Sequence, residues 1–175
     1  TAYWMDRTHV DLKIIGLFAL VGTPYAFKFA WAPLVDQLPL PLLDRWLGRR
    51  RSWMLLAQLG ILLSVLLLAW SDPAATPWFT AGAAVLVAFF SATQDIAVDA
   101  YRIEILTDDE QGAGSATTQL GYRIALWTVD AMSLLLPSLL PWPMVISLIA
   151  LLIVIGMVTA VSYTHLRAHE TREDL

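Results

Sequence analysis

Not one of the 175 residues is a cysteine, which excludes a disulfide framework and any thiolate metal site. Charge is almost as scarce. Asp, Glu, Lys and Arg make up 15% of the chain against 58% for the hydrophobic class, whereas a soluble domain carries about a quarter charged residues. That leaves too little polar surface to clothe an ordinary globule. The net charge of −4 has no basic excess, which argues against nucleic acid or any strongly charged partner. The chain opens at Thr1 rather than Met with no positively charged segment and cleavage site after it, and it reads as a fragment or a processed product. What is present is long apolar runs, with a mean hydropathy of +0.63. The composition predicts an all-α membrane protein that crosses the bilayer several times.

A hydrocarbon core about 30 Å thick needs roughly 20 apolar residues in helix. The stretches 14–33, 53–70, 78–100, 112–136 and 144–161 meet or approach that length. They predict a bundle over 1–161 followed by a polar tail, 162–175. Trp31, Trp53, Trp70, Trp78 and Trp142 stand at span ends, where an amphipathic ring prefers the headgroup level. Arg45, Arg49, Arg50 and Arg51 crowd the first connection, while the connections 71–77 and 137–143 hold no Lys or Arg. Cytoplasmic loops collect the basic residues, so the arginine loop is predicted to face inward and the two bare loops outward. Thr1 to Asp11 then lies outside, and the odd number of spans predicts one helix ahead of Thr1 and more beyond Leu175. The tail carries His165 and His169 among mixed charges without apolar periodicity. It reads either as a solvated cytoplasmic segment or as a non-native extension of the kind translated adapter sequence leaves, and no function is placed on its histidines.

Thr107-Asp108-Asp109-Glu110 has capping-box spacing and an acidic run suited to a positive helix end. It predicts a helix start rather than a metal site. Inside the spans, every ionisable side chain is costly and so is a functional candidate. Measured from Trp78, Gln94 and Asp95 lie roughly 24–26 Å into their span and Asp99 roughly 32 Å. Asp95 is hard to hydrate from bulk water. Asp99 reads better as an inner-end partner for the arginine loop. In the next span Gln119, Arg123, Trp127 and Asp130 fall on one helix face, with Arg123 about 16 Å deep. A guanidinium there must meet a carboxylate such as Asp95 or Asp130, a water-filled cavity or an anionic group of a substrate; a structural salt bridge and a cavity-lining role both stay open. An aspartate beside an arginine in such a cavity can couple protonation to substrate occupancy. Lys28 reads equally as a snorkelling lysine and as a functional one. Pro24 predicts a kink in the first span. Gly112, Gly114, Ser115, Ala116 and Gly121 predict close helix packing at the start of the fourth.

The loop Asp36, then Asp44-Arg45-Trp46-Leu47-Gly48-Arg49-Arg50-Arg51, resembles the loop motif of the major facilitator superfamily, with either Asp36 or Asp44 as the motif's acid. The stretches Phe27 to Asp36, Ser91 to Arg102 and Gly112 to Arg123 are similar to those of AmpG-type muropeptide permeases, and the likeness runs from about Asp11 to Val161. Gln111 departs from that family, in which a basic residue is common at this position. The resemblance implies a partial bundle of the facilitator type, with no cofactor and no metal. It implies a proton-linked carrier of anhydro-muropeptides across the bacterial inner membrane, used in cell-wall recycling. Gln94, Asp95, Gln119, Arg123 and Asp130 would line its pathway. Asp36, Asp44, Arg45, Gly48, Arg49, Arg50 and Asp99 would form the cytoplasmic gate. Acetyl-coenzyme A transporters share parts of this pattern. Readings from other classes are an intramembrane prenyltransferase-type enzyme, for which the second aspartate cluster is missing, and a non-transporting receptor on the same fold.

Overall fold

The computed structural model describes the backbone of residues 18–41 and 43–173. The outer segment from Thr1 to Asp11, the first residues of the span 14–33 and the side chains of His165 and His169 lie outside the described residues. Every regular element among the described residues is helical.

The first span is a broken helix rather than a kinked one. A 3-10 segment, Phe18–Gly22, leads into α1, Thr23–Phe27. A second 3-10 turn, Lys28–Ala30, leads into α2, Ala32–Gln37. The prolines explain the breaks. Pro24 and Pro33 each sit in the first turn of their short helix, where the missing N–H has no partner to lose. A proline in the middle of a continuous helix would have cost a bond, so the chain restarts at each one. After α2 come α3, Asp44–Leu47, and α4, Arg49–Ala69. Then follow α5, Pro77–Ile105, α6, Gln111–Leu135, a 3-10 turn at Leu136–Ser138, and α7, Trp142–Glu173.

These helices lie over the stretches 53–70, 78–100, 112–136 and 144–161, with differences at their ends. Arg49, Arg50 and Arg51 belong to the first turn of α4 rather than to a loop. The helix of α7 runs on through the polar tail to Glu173, where no Gly or Pro interrupts 157–173. Among the described residues α4 and α5 are long and apolar enough to cross a membrane, and Trp142–Val158 is a shorter apolar helix.

The packing is that of a bundle in lipid. Buried positions on α5 are small, namely Thr80, Ala83, Ala84, Ala88, Ala92, Thr93 and Ala97. On α4 they are Ser52, Ala57, Gln58, Gly60, Ser64, Leu68 and Ala69. The large apolar side chains point outward instead, among them Leu59, Leu63 and Leu67 of α4 and Leu86 and Phe89 of α5. Small residues let helix backbones approach where lipid offers no hydrophobic drive to association. The buried hydroxyls are satisfied locally, as where Ser64 donates to the Gly60 carbonyl at 2.7 Å. α4 packs along both α5 and α7, whereas α6 touches its neighbours sparingly and buries no residue. Of its glycines only Gly114 is in close approach, against Leu106 at the end of α5; a Cβ at Gly112 or Gly121 would meet nothing.

Gly60 sets the α4–α5 contact. A Cβ there would run into the Phe90 ring. Gly60→Ala is expected to destabilise the bundle by about 1–3 kcal/mol, the usual cost of overpacking. The same substitution combined with Phe90→Leu should recover most of the loss, because the two sites share one contact. Thermal unfolding in detergent reads both. Equal midpoints for wild type and Gly60→Ala would remove Gly60 from the packing argument.

Candidate functional site

Polar side chains gather in three places along the bundle. The first is the arginine-rich end. Arg50 donates from Nη1 to Asp36 of α2 at 2.5 Å and from Nε to Glu104 of α5 at 2.8 Å. One guanidinium thus ties three elements together. It also resolves an awkward local arrangement, because three arginines at a helix N-terminus face the positive end of the macrodipole and need carboxylates nearby. Arg51 donates from Nη2 to the Tyr101 hydroxyl at 2.8 Å, with its guanidinium carbon 5.3 Å from that ring's centre. A cleft of about 300 Å³ opens between Gly48, these arginines, Tyr101 and Glu104. Arg45 and Arg49 are exposed.

Of the two candidate acids, Asp36 is the one that meets an arginine. Asp44 instead accepts the Leu40 N–H through Oδ2 at 2.9 Å and holds its own turn. Asp99 is placed differently from expectation. It pairs at 3.5 Å with Arg102 on its own helix, and Glu104 takes the arginine instead. The reason is reach: Glu104 lies further toward the arginine-rich end of α5, and Asp99 is already within one turn of Arg102.

Gly48 allows α3 to turn into α4. It adopts φ 75° and ψ 160°, a region that side chains avoid. Gly48→Ala is expected to cost about 1–3 kcal/mol through backbone strain alone. Gly22→Ala has open space and no positive φ, so it should be close to neutral. Comparing the two in one thermal melt separates strain from the loss of a glycine. A neutral Gly48→Ala would show that the turn relaxes.

The second place surrounds Asp95, exposed on α5. Lys28 of the broken first span and Asp99 are its charged neighbours. Tyr25 interacts with Ser91 and lies within electrostatic reach of Asp95 and Tyr122. One turn earlier Trp31 donates to the Thr93 hydroxyl at 3.2 Å and its ring lies 4.9 Å from that of Phe89. These contacts fix α2 against α5 and bring Lys28 onto the Asp95 face. The break at Lys28–Ala30 makes this possible.

Arg123 is not part of that cluster. It is exposed on α6, and no ion pair or side-chain hydrogen bond joins its guanidinium to Asp95, Asp130 or any other described residue. Gln119 and Asp130 are exposed on the same helix. Gln94 points away from Asp95 and lines the third polar place, a cleft between α4, α5, α6 and α7 that it shares with Gln58 and Thr128. So the residues expected to form one pathway are divided among a charged cluster, an uncharged cleft and an open helix face.

Sequence reading missed Tyr25, Ser91, Glu104 and Gln58. Gln58 carried a usable signal, being a carboxamide set within the apolar stretch 53–70. At the start of α6, Glu110 reaches back to accept both the Thr107 N–H at 3.0 Å and its hydroxyl at 2.9 Å. The helix itself begins at Gln111. The acidic run therefore closes a turn and, among the described residues, gathers with no metal-holding group.

The profile of the Major Facilitator Superfamily matches residues 2–175. An uncharacterised protein of Haemophilus influenzae is 42% identical over 154 residues, 88% of this chain and 35% of that protein. The anhydromuropeptide permease of Escherichia coli K12 is 41% identical over 135 residues, 73% of this chain and 27% of the permease. An AmpG-named transporter of Rickettsia conorii is 32% identical over 159 residues, 90% of this chain and 38% of that protein. The chain spans about a third of the length of these relatives.

Proposed function

Because the chain belongs to the Major Facilitator Superfamily, we infer that its helices form one wall of a multi-pass secondary carrier that moves anhydro-muropeptides into the cell across the bacterial inner membrane. Membership sets the prenyltransferase-type enzyme aside. The observation that carries the carrier reading is Lys28 within electrostatic reach of Asp95, which is exposed among the described residues. Charge at that depth is tolerated only beside water, a partner or a solute. The muropeptide reading draws on the 41% identity to the permease.

The chemistry of such a solute fits the groups available. A sugar-peptide brings carboxylates, hydroxyls and amides. Arg123, which has no ion-pair partner among the described residues, can take a carboxylate with charge-assisted hydrogen bonds. Gln94 and Gln119 can meet hydroxyls and amides. Asp95 is the group that can exchange a proton with the pathway, and Lys28 beside it makes its charge depend on what else is bound. In an alternating-access cycle the Arg50 contacts with Asp36 and Glu104 would hold one end closed.

Expressing the full-length gene in a permease-deficient bacterium tests this directly. Restored accumulation of labelled anhydro-muropeptide supports the assignment. Transport of acetyl-coenzyme A in its place would redirect the substrate and keep the carrier, and no uptake of either would favour a non-transporting receptor.

A further inference from the structure

The cleft between α4, α5, α6 and α7 has a volume of about 500 Å³, and no charged residue lines it. Its polar groups are the carboxamides of Gln58 and Gln94 and the hydroxyl of Thr128. The remaining walls are aliphatic or glycine. Gln58 is 6% exposed, and its Oε1 accepts no hydrogen bond. A buried acceptor without a donor is uncommon and calls for an explanation. Thr128 already donates to the Ile124 carbonyl at 2.8 Å, so its hydroxyl can act here only as an acceptor.

These features define what would fill the space. A charged group is excluded, because it would be desolvated with no counter-charge. One water could satisfy Gln58, but the aliphatic walls offer further waters few polar partners. A matching group donates an N–H or O–H to Gln58, accepts from a carboxamide NH₂ and presents apolar surface to the walls. An acylamino group has each of these, in its N–H, its carbonyl and its methyl.

We propose that this cleft is a subsite for a neutral acylamino group, with Gln58 accepting its N–H and Gln94 donating to its carbonyl. The physiological ligand, an acylated sugar or a peptide segment of the transported solute, rests on the carrier reading; the chemistry of the cleft does not. Gly156 supplies an internal gauge. A Cβ there would meet only Gln58 Nε2, at 3.7 Å, which is ordinary contact. Alanine is therefore tolerated, while a leucine side chain would enter the cleft.

The test is saturation-transfer NMR on the purified full-length carrier in nanodiscs. The probes are N-acetylglucosamine, N-acetylalanine methylamide and, lacking the acylamino group, glucose. Transfer to the acetyl methyl of at least one acylated probe, and none to glucose, is expected; the stronger probe identifies the sugar or the peptide as the source. Gln58→Leu should weaken that binding about tenfold, the size of one hydrogen bond to a buried amide. Gly156→Ala should keep it and Gly156→Leu abolish it. Both leucine variants are compared only where they remain monodisperse with an unchanged melting midpoint, and Gly156→Leu alone decides should Gln58→Leu misfold. Equal binding by wild type and the leucine variants, equal response to glucose, or no transfer to either acylated probe would overturn the subsite. Because the readout is binding, a carrier that restores uptake without this signal refutes the subsite alone. A carrier that shows the signal without uptake refutes the transport reading alone.

Discussion

Replacing Arg50 with alanine is expected to cut uptake by about tenfold while lowering the melting midpoint by only a few degrees. The two effects separate because they draw on different free energies. Asp36 and Glu104 each keep 46% of their side-chain surface exposed, whereas Arg50 keeps 15%. Once the guanidinium is gone, both carboxylates rehydrate from the open side, and partly exposed ion pairs contribute roughly 0.2–1 kcal/mol each. Function is more sensitive. Arg50 joins α2, α4 and α5 through one fork, so its contacts must break whenever this end of the bundle opens. A contact made in only one state of a two-state cycle shifts the population by its full value, and about 1.4 kcal/mol is a factor of ten. Lysine at this position should be intermediate at best, because a single ammonium on a flexible stem cannot reproduce the Nε and Nη1 geometry. Asp36→Asn and Glu104→Gln should each cause part of the loss and combine less than additively, since they share one partner. Arg49→Ala serves as the control, being exposed and absent from the ion pairs. Wild-type uptake by Arg50→Ala would sink the gate.

Whether a feature was legible from the chain depended on whether its cause was local. The outlines of α4 and α5 follow from apolar runs bounded by Trp and Pro; spacing also found the Thr107–Glu110 contact but set the helix start there, whereas the helix begins at Gln111. The broken first span did not read correctly. A proline in an apolar run can kink a helix or start a new one, and only the packing of α1 and α2 on α5 selects the second outcome. The motif's acid was narrowed to Asp36 or Asp44. The choice turned on a long-range contact to Arg50 that spacing cannot show. The same limit explains Asp99 and Glu104. Both lie near the arginine-rich end of α5, and only the facing helix decides which carboxylate takes the arginine. Depth along the helix singled out Asp95 but said nothing about which cation lies near it. The obvious cation was Arg123, from the next span. The structure puts Lys28 there instead, because the break at Lys28–Ala30 brings that lysine against α5, while α6 stands apart.

That placement makes Asp95 the residue whose loss should matter most. Asp95→Asn preserves size and resembles the protonated acid while removing the property a proton pathway needs, the ability to gain and lose a proton. Gradient-driven accumulation is expected to fall by about a hundredfold, as for removal of a positioned proton-transfer group. Exchange of labelled for unlabelled solute at equal pH should persist within a few-fold, because binding and conformational turnover remain. Lys28→Met tests the pairing from the other side. It leaves the Asp95 carboxylate without its cationic neighbour, so both accumulation and exchange should drop. Adding Asp95→Asn to Lys28→Met should then restore exchange but not accumulation, since the double variant again has no uncompensated charge at the site. Arg123→Gln should weaken solute binding and leave proton dependence alone, because that guanidinium touches neither Asp95 nor Lys28. If Asp95→Asn accumulates solute against its gradient as well as wild type does, the proton must travel elsewhere. The attraction between Asp95 and Lys28 would then serve only to hold the broken helix near α5, and the melting midpoint of Lys28→Met would register that role directly.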